Sequence, residues 1–142
     1  MTLNATIQNV LAQAIVRLYN SSPSPEIDAE VLLSHSLNQS RAWLLAYQND
    51  ELNDAEQQAY QKLIERRELG EPIAYILEER EFWSLNLKVT PETLIPRPET
   101  EILVEVALEK AQSLIQNQSK ESLKILDLGT GSGAIALSLI HI

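Results

Sequence analysis

Cysteine is absent from the 142 residues, which excludes a disulfide framework and a thiolate metal site and fits a reducing compartment. Basic residues are scarce beside acidic ones, 11 Lys and Arg against 20 Asp and Glu, for a formal net charge of -9. That balance disfavours a surface whose task is to grip a phosphate backbone, and no basic stripe offsets the acid excess in either half of the chain. Long apolar runs are missing as well. No stretch approaches the ~18 apolar residues of a membrane span, and the N-terminus has neither a basic lead nor a long apolar core, so a soluble cytoplasmic protein is expected. The two histidines, His35 and His141, have no metal-ligand partner at useful spacing, and no metal site is expected. Glycine is rare too, four residues in all, which makes its distribution informative.

Three of those four glycines fall within five positions, in Leu123-Lys124-Ile125-Leu126-Asp127-Leu128 followed by Gly129-Thr130-Gly131-Ser132-Gly133 and Ala134-Ile135-Ala136-Leu137. The pattern reads as buried strand, glycine loop and helix, because a short apolar run precedes a stretch whose backbone can turn tightly and approach a ligand closely. Such a loop aims backbone N–H groups at polar or anionic ligand groups. A dinucleotide fingerprint requires G-x-G-x-x-G, and its third glycine falls on Ala134; alanine is tolerated there, so spacing alone leaves a dinucleotide open. The absence of a following Lys-Ser/Thr removes the phosphate-cradling P-loop. A connection that binds nothing is the third reading of the spacing.

The first half reads as a succession of short helices. Ile7, Val10, Leu11, Ala14, Ile15 and Leu18 recur at offsets of three and four and share one face. Ser24 as N-cap and Pro25 as first helical residue open a second helix carrying Ile27, Val31, Leu32 and Leu37. Ser40 is placed to cap a third helix holding Trp43, Leu44 and Leu45, and Asn53 with Glu56 forms a capping-box pattern for a fourth that ends at Gly70. Pro72 starts a short fifth at Ile73-Ala74-Tyr75-Ile76-Leu77. Together these predict a small helical bundle.

The period then changes. Trp83, Leu85, Leu87 and Val89 alternate with Ser84, Asn86 and Lys88 in the two-residue rhythm of a half-buried strand, with Leu94-Ile95-Pro96 as its return in a hairpin. Pro98 and Glu99 read as the start of a helix with apolar positions Ile102, Leu103, Val106, Leu114 and Ile115, and Glu99 and Glu101 suit its positive end. A polar link from Gln116 to Ser122 leads into the buried strand. Trp43, Phe82 and Trp83 are read as core residues, and His35 as a helix-surface or a satisfied buried histidine without a catalytic role.

The string D-L-G-T-G-S-G-A-I-A-L at 127–137 resembles the first motif of the class I methyltransferases, which bind S-adenosylmethionine. With G-E-P-I-A-Y-I-L at 70–77, E-F-W-S-L at 81–85 and L-I-P-R-P-E-T-E at 94–101, the chain is similar to the protein-(glutamine-N5) methyltransferases of peptide chain release factors, the HemK/PrmC family. The resemblance implies an α+β protein: an all-α release-factor-binding domain at 1–78, a β-hairpin linker at 79–97, and at 98–142 the start of a Rossmann-like α/β methyltransferase domain. It also implies S-adenosylmethionine as cofactor and release factors as protein partners, with no direct nucleic-acid or membrane partner. The reaction is methylation of the glutamine side-chain nitrogen in the Gly-Gly-Gln loop of a release factor, hence a role in translation termination.

On this reading Gly129, Thr130, Gly131, Ser132 and Gly133 line the methionine and ribose part of the cofactor. Asp127 either braces the loop or faces the cofactor's amino group. Arg97, Glu99 and Thr100 reach toward cofactor or target glutamine, or Arg97 pairs with a surface carboxylate. The family's catalytic N-P-P-Y motif and its ribose-binding acidic residue belong to later strands and do not occur in these 142 residues. No catalytic residue is assigned, the chain by itself is expected to be inactive and its C-terminal part prone to association, and a non-catalytic release-factor binder is the alternative. Glu78 is a second departure, since the family usually has glycine after Y-I-L; if the turn needs a positive φ, glutamate strains it.

Overall fold

The computed structural model describes residues 5–118 and 123–140. They form a helix-rich α+β protein in two compact units, Met1–Leu77 and Glu78–Ile142. Part of the polar link, 119–122, and His141 lie outside the described residues.

The first unit contains α1 (Ile7–Leu18), α2 (Pro25–Leu37), α3 (Arg41–Ala46), α4 (Asp54–Glu68) and α5 (Ile73–Leu77). Local chemistry sets their ends. Thr6 caps α1 and Ser40 caps α3 through side-chain oxygens that accept from Asn9 N and Trp43 N. Asn53 and Glu56 form a reciprocal capping box on α4 at 3.0 and 2.9 Å. At its other end Gly70, with φ +88°, lets Gly70 N and Glu71 N close on the carbonyls of Arg67 and Arg66, a Schellman arrangement. Ser24 is at the N-cap of α2 but its side chain makes no cap bond; Ser22 Oγ accepts Ser24 N at 3.0 Å and donates to Asp28 Oδ2 at 2.6 Å.

The apolar stripe of α1 is buried as its spacing predicts: Ile7, Ala14 and Leu18 join Leu32, Leu33, Leu44, Tyr60 and Ile64 in one core, with Val10, Leu11 and Ile15 packed against it. On α2 Ala29, Leu32 and Leu33 are fully buried, whereas Ile27 faces solvent. His35 is exposed. Trp43 is half-buried against the core and stacks on Tyr47 with ring centroids 4.7 Å apart. One charged pair enters this interior: Arg67 Nε on α4 donates to Asp28 Oδ2 on α2 at 2.7 Å, both side chains 11% exposed. Exposed pairs, such as the bidentate Arg17–Glu68 bridge from α1 to α4, add little because water screens them.

The second unit opens with a hairpin, and here the structure corrects the reading of the alternation. β1 is Glu79–Phe82 and β2 is Leu85–Lys88, paired antiparallel from Glu79↔Lys88 to Phe82↔Leu85. Trp83 and Ser84 are therefore not strand residues but the two-residue turn between strands. Their φ values of +51° and +59° define a type I′ geometry, which matches the twist of the strands and overrides the poor fit of residues bearing a Cβ. Leu94-Ile95-Pro96 does not pair as a return strand; Thr93 N turns back onto the Thr90 carbonyl at 2.9 Å, and Pro96 has no N–H for a ladder. Glu78 has φ +59°, so the turn does place a glutamate in a glycine conformation.

A 3-10 turn at Pro98–Thr100 leads into α6 (Glu101–Gln118), and α7 (Ala134–Leu139) closes the described segment. The buried face of α6 is Val104 and Ala111, with Ala107 and Leu108 packed beside them, whereas Ile102, Leu103 and Val106 are exposed. The contact stripe of α6 in the cluster is Val104, Ala107 and Leu108, one position out of phase with the expected Leu103 and Val106. Leu123–Leu128 corrects the reading further: it forms no strand, and Leu126 and Leu128 are more than 80% exposed. Among the described residues no strand lies beside it, and an unpaired segment cannot bury both faces.

Two stability outcomes follow from this packing. Arg67→Ala is expected to lower the unfolding free energy by about 3 kcal/mol, since it strands a buried carboxylate, while Asp28→Asn with Arg67→Met costs less than the single change; urea titration of the parent and the two variants measures both. Glu78→Gly is expected to stabilise the hairpin unit by about 0.5–1 kcal/mol and Glu78→Ala to give no gain, read from amide exchange in β1 and β2.

Candidate cofactor loop

The loop at 129–133 is shaped by backbone, not by side-chain packing. Gly129, Gly131 and Gly133 have φ of +76°, +56° and +80°. A Cβ at Gly129 would meet nothing within 4 Å, and one at Gly131 only the Gly129 carbonyl at 3.9 Å. Glycine is thus demanded at these two positions by dihedral angle, and the space above them is open. At Gly133 the dihedral angle is again the reason, since a Cβ there would meet Leu137 Cδ1 at 3.4 Å, an ordinary van der Waals contact. The loop is closed from within: Gly133 N donates to the Thr130 carbonyl at 2.8 Å, Thr130 Oγ1 to the Asp127 carbonyl at 3.2 Å, and Leu137 N to the Gly133 carbonyl at 2.8 Å. Behind it α7 is anchored in the core through Ala134 and Leu139.

Asp127 enters the loop half-buried, and its Oδ2 is buried without a hydrogen-bond partner among the described residues. It is the carbonyl of Asp127, and not its carboxylate, that accepts the loop's hydrogen bond. A buried carboxylate oxygen left unpaired is costly, and its presence beside an open backbone loop marks an acceptor waiting for a donor. Gly129, Thr130 and Gly131 are exposed, while Ser132 and Gly133 are half-buried. The donor set therefore fits a cofactor that presents polar groups to a backbone loop and a hydrogen-bond donor to Asp127. Among the described residues no group of three His, Asp or Glu side chains is placed to hold a metal, and no helix is long and apolar enough to cross a membrane.

Arg97 and Glu99 are exposed and Thr100 is half-buried, all at the 3-10 turn that precedes α6. No hydrogen bond or ion pair joins them directly to the glycine loop among the described residues; the link is packing, since α6 and α7 share the cluster of Val104, Ala134 and Leu139. Phe82 is fully buried in the same cluster, with Trp83 half-buried against it. Glu101 has a role that helix-end electrostatics did not reveal: its Oε1 accepts Trp83 N at 2.9 Å. Its place at the end of L-I-P-R-P-E-T-E was a signal, but not of its partner.

Residues 9–77 match the family described as PrmC N-terminal domain. The match covers most of the helical unit. The similarity also extends through the hairpin and the glycine loop. The chain is 52% identical to the release factor glutamine methyltransferase of Coxiella burnetii over 87% of its length, 51% identical to that of Vibrio cholerae over 96%, and 48% identical to that of Escherichia coli over 93%. It spans 42%, 46% and 45% of those three proteins. Over most of its own length the chain is thus similar to part of the proteins named release factor glutamine methyltransferase, and it spans less than half of each.

Proposed function

We propose that this chain is the cofactor-loop and substrate-docking portion of a release factor glutamine methyltransferase. The longer polypeptide transfers a methyl group from S-adenosylmethionine to the glutamine side-chain nitrogen of the Gly-Gly-Gln loop. The observation that carries the reading is the glycine loop with its three positive-φ glycines beside the buried, unpaired Asp127 Oδ2. It lies in a chain about half identical to proteins of that name. The helical domain at 1–78 docks the release factor, 79–97 is the linking hairpin, and residues from 98 onward begin a Rossmann-like methyltransferase domain. The cytoplasm, where release factors act, is the compartment the reading implies.

S-adenosylmethionine, when bound, supplies an activated methyl on a sulfonium centre. The work left to the protein is mainly alignment, because an amide nitrogen is a weak nucleophile whose approach must be held in line. Gly129 to Gly133 give the cofactor a backbone cradle without side-chain obstruction, and Asp127 offers an acceptor to its amino group. Arg97, Glu99 and Thr100 line the approach of cofactor or glutamine from the start of α6. Acceptors for the reacting amide are assigned to no residue of this chain; the alternative is a release-factor binder without catalysis.

The test is a chimera in which this chain replaces the matching part of the Escherichia coli relative. The expected outcome is methylation of purified release factor, with Gly131→Ala raising the KM for S-adenosylmethionine about tenfold or more through the left-handed conformation it penalises. A folded chimera that binds release factor but transfers no methyl group supports the binding-only alternative. An unchanged KM in Gly131→Ala contradicts the role of the loop.

A further inference from the structure

We propose that Glu101 is a positioning residue, which ties the turn of the hairpin to segment 97–100 and so holds that segment in register with the helix behind the glycine loop. A two-residue type I′ turn leaves the N–H of its first central residue outside the strand ladder, and a buried or half-buried N–H needs a partner. Trp83 is that residue, and its N–H donates to Glu101 Oε1 at 2.9 Å. Its neighbour Ser84 shares the left-handed conformation, so neither central residue is a glycine that would hold the turn without help. The acceptor is half-buried and charged, which makes the bond stronger than a neutral one.

The same residue acts on the other side through its main chain. Glu101 N–H closes the 3-10 turn on the Pro98 carbonyl, and Thr100 N closes it on the Arg97 carbonyl at 3.0 Å. One residue therefore fastens the hairpin by its side chain and segment 97–100 by its backbone. The hairpin so held places Phe82 and Leu87 in the cluster that also contains Val104, one turn into α6, and Ala134, the residue after Gly133. The chain of contacts runs from turn to Glu101 to α6 to the base of the loop. None of this follows from the glutamate's place at a helix start, where its electrostatic preference is for its own helix.

The inference rests on the proposed lining role of Arg97, Glu99 and Thr100, but its test involves no cofactor, so failure of that reading and failure of this one are separable. Amide hydrogen exchange is measured on the 142-residue chain and on its Glu101→Ala and Glu101→Gln variants. Glu101→Ala is expected to speed exchange at Trp83 and Thr100 about tenfold, the size of effect that loss of a charge-assisted hydrogen bond produces. Leu137 N, bonded to the Gly133 carbonyl, is expected to keep its rate, and Glu101→Gln, which retains an acceptor oxygen, to restore most of the protection. Three results overturn the proposal: Thr100 unchanged in Glu101→Ala, Leu137 accelerated as much as Thr100, or Trp83 exchanging in the parent chain as fast as in an unfolded peptide. Equal acceleration assigns Glu101 a merely structural role.

Discussion

The helical unit depends on a charged pair with little access to water. Asp28 and Arg67 meet at 2.7 Å between α2 and α4, and Ser22 donates a second hydrogen bond to the same carboxylate oxygen. Buried ion pairs seldom add much over apolar residues of equal volume, because desolvation offsets the attraction. Their effect is on choice of partner. With Asp28 near the start of α2 and Arg67 near the end of α4, other alignments of the two helices leave a charge unpaired in an apolar interior. Tyr60 adds a directional constraint of the same kind: its hydroxyl donates to the Ala29 carbonyl at 3.0 Å, and burial pushes its pKa well above the ordinary phenol value. The core residues supply affinity between helices, and these polar contacts fix how they register.

In the second unit the governing constraint is the left-handed backbone. Three glycines adopt it in the cofactor loop and three non-glycine residues, Glu78, Trp83 and Ser84, adopt it around the hairpin. The chemistry differs between the two places. In the loop, glycine leaves the backbone uncovered by side chains, and beside it is a buried carboxylate oxygen with no hydrogen-bond partner among the described residues. At the hairpin, residues with a Cβ accept a cost of roughly 1–2 kcal/mol each in that conformation. Cross-strand pairing, the burial of Phe82 and the acceptor on Glu101 hold them there.

Local signals in the sequence were legible where they act locally. The caps at Ser40 and Asn53 with Glu56, the glycine stop at Gly70 and the stripe on α1 each depend on residues within a turn or two of one another. The glycine loop was legible for the same reason, as a dense run of rare residues. The hairpin was misread because Trp83, an aromatic with strong strand preference, sits at a turn whose form is dictated by strands on either side. The buried face of α6 was misread because apolar residues recur on more than one of its faces, and the neighbouring elements select the one with Val104, Ala107 and Leu108. Leu123 to Leu128 looked buried on composition, but burial of a strand is conferred by neighbours and no composition supplies them. The link from Glu101 to Trp83 spans 18 positions and carries no periodic signature.

The central claim, that this sequence serves methylation of a release factor glutamine, is tested most directly in the cell that encodes it. The peptide bearing the Gly-Gly-Gln loop is isolated from its release factors with and without disruption of the gene, and its mass is measured. The account predicts a peptide one methyl group heavier when the gene is intact and loss of that methyl group when it is disrupted. An equally methylated glutamine in both strains would contradict it.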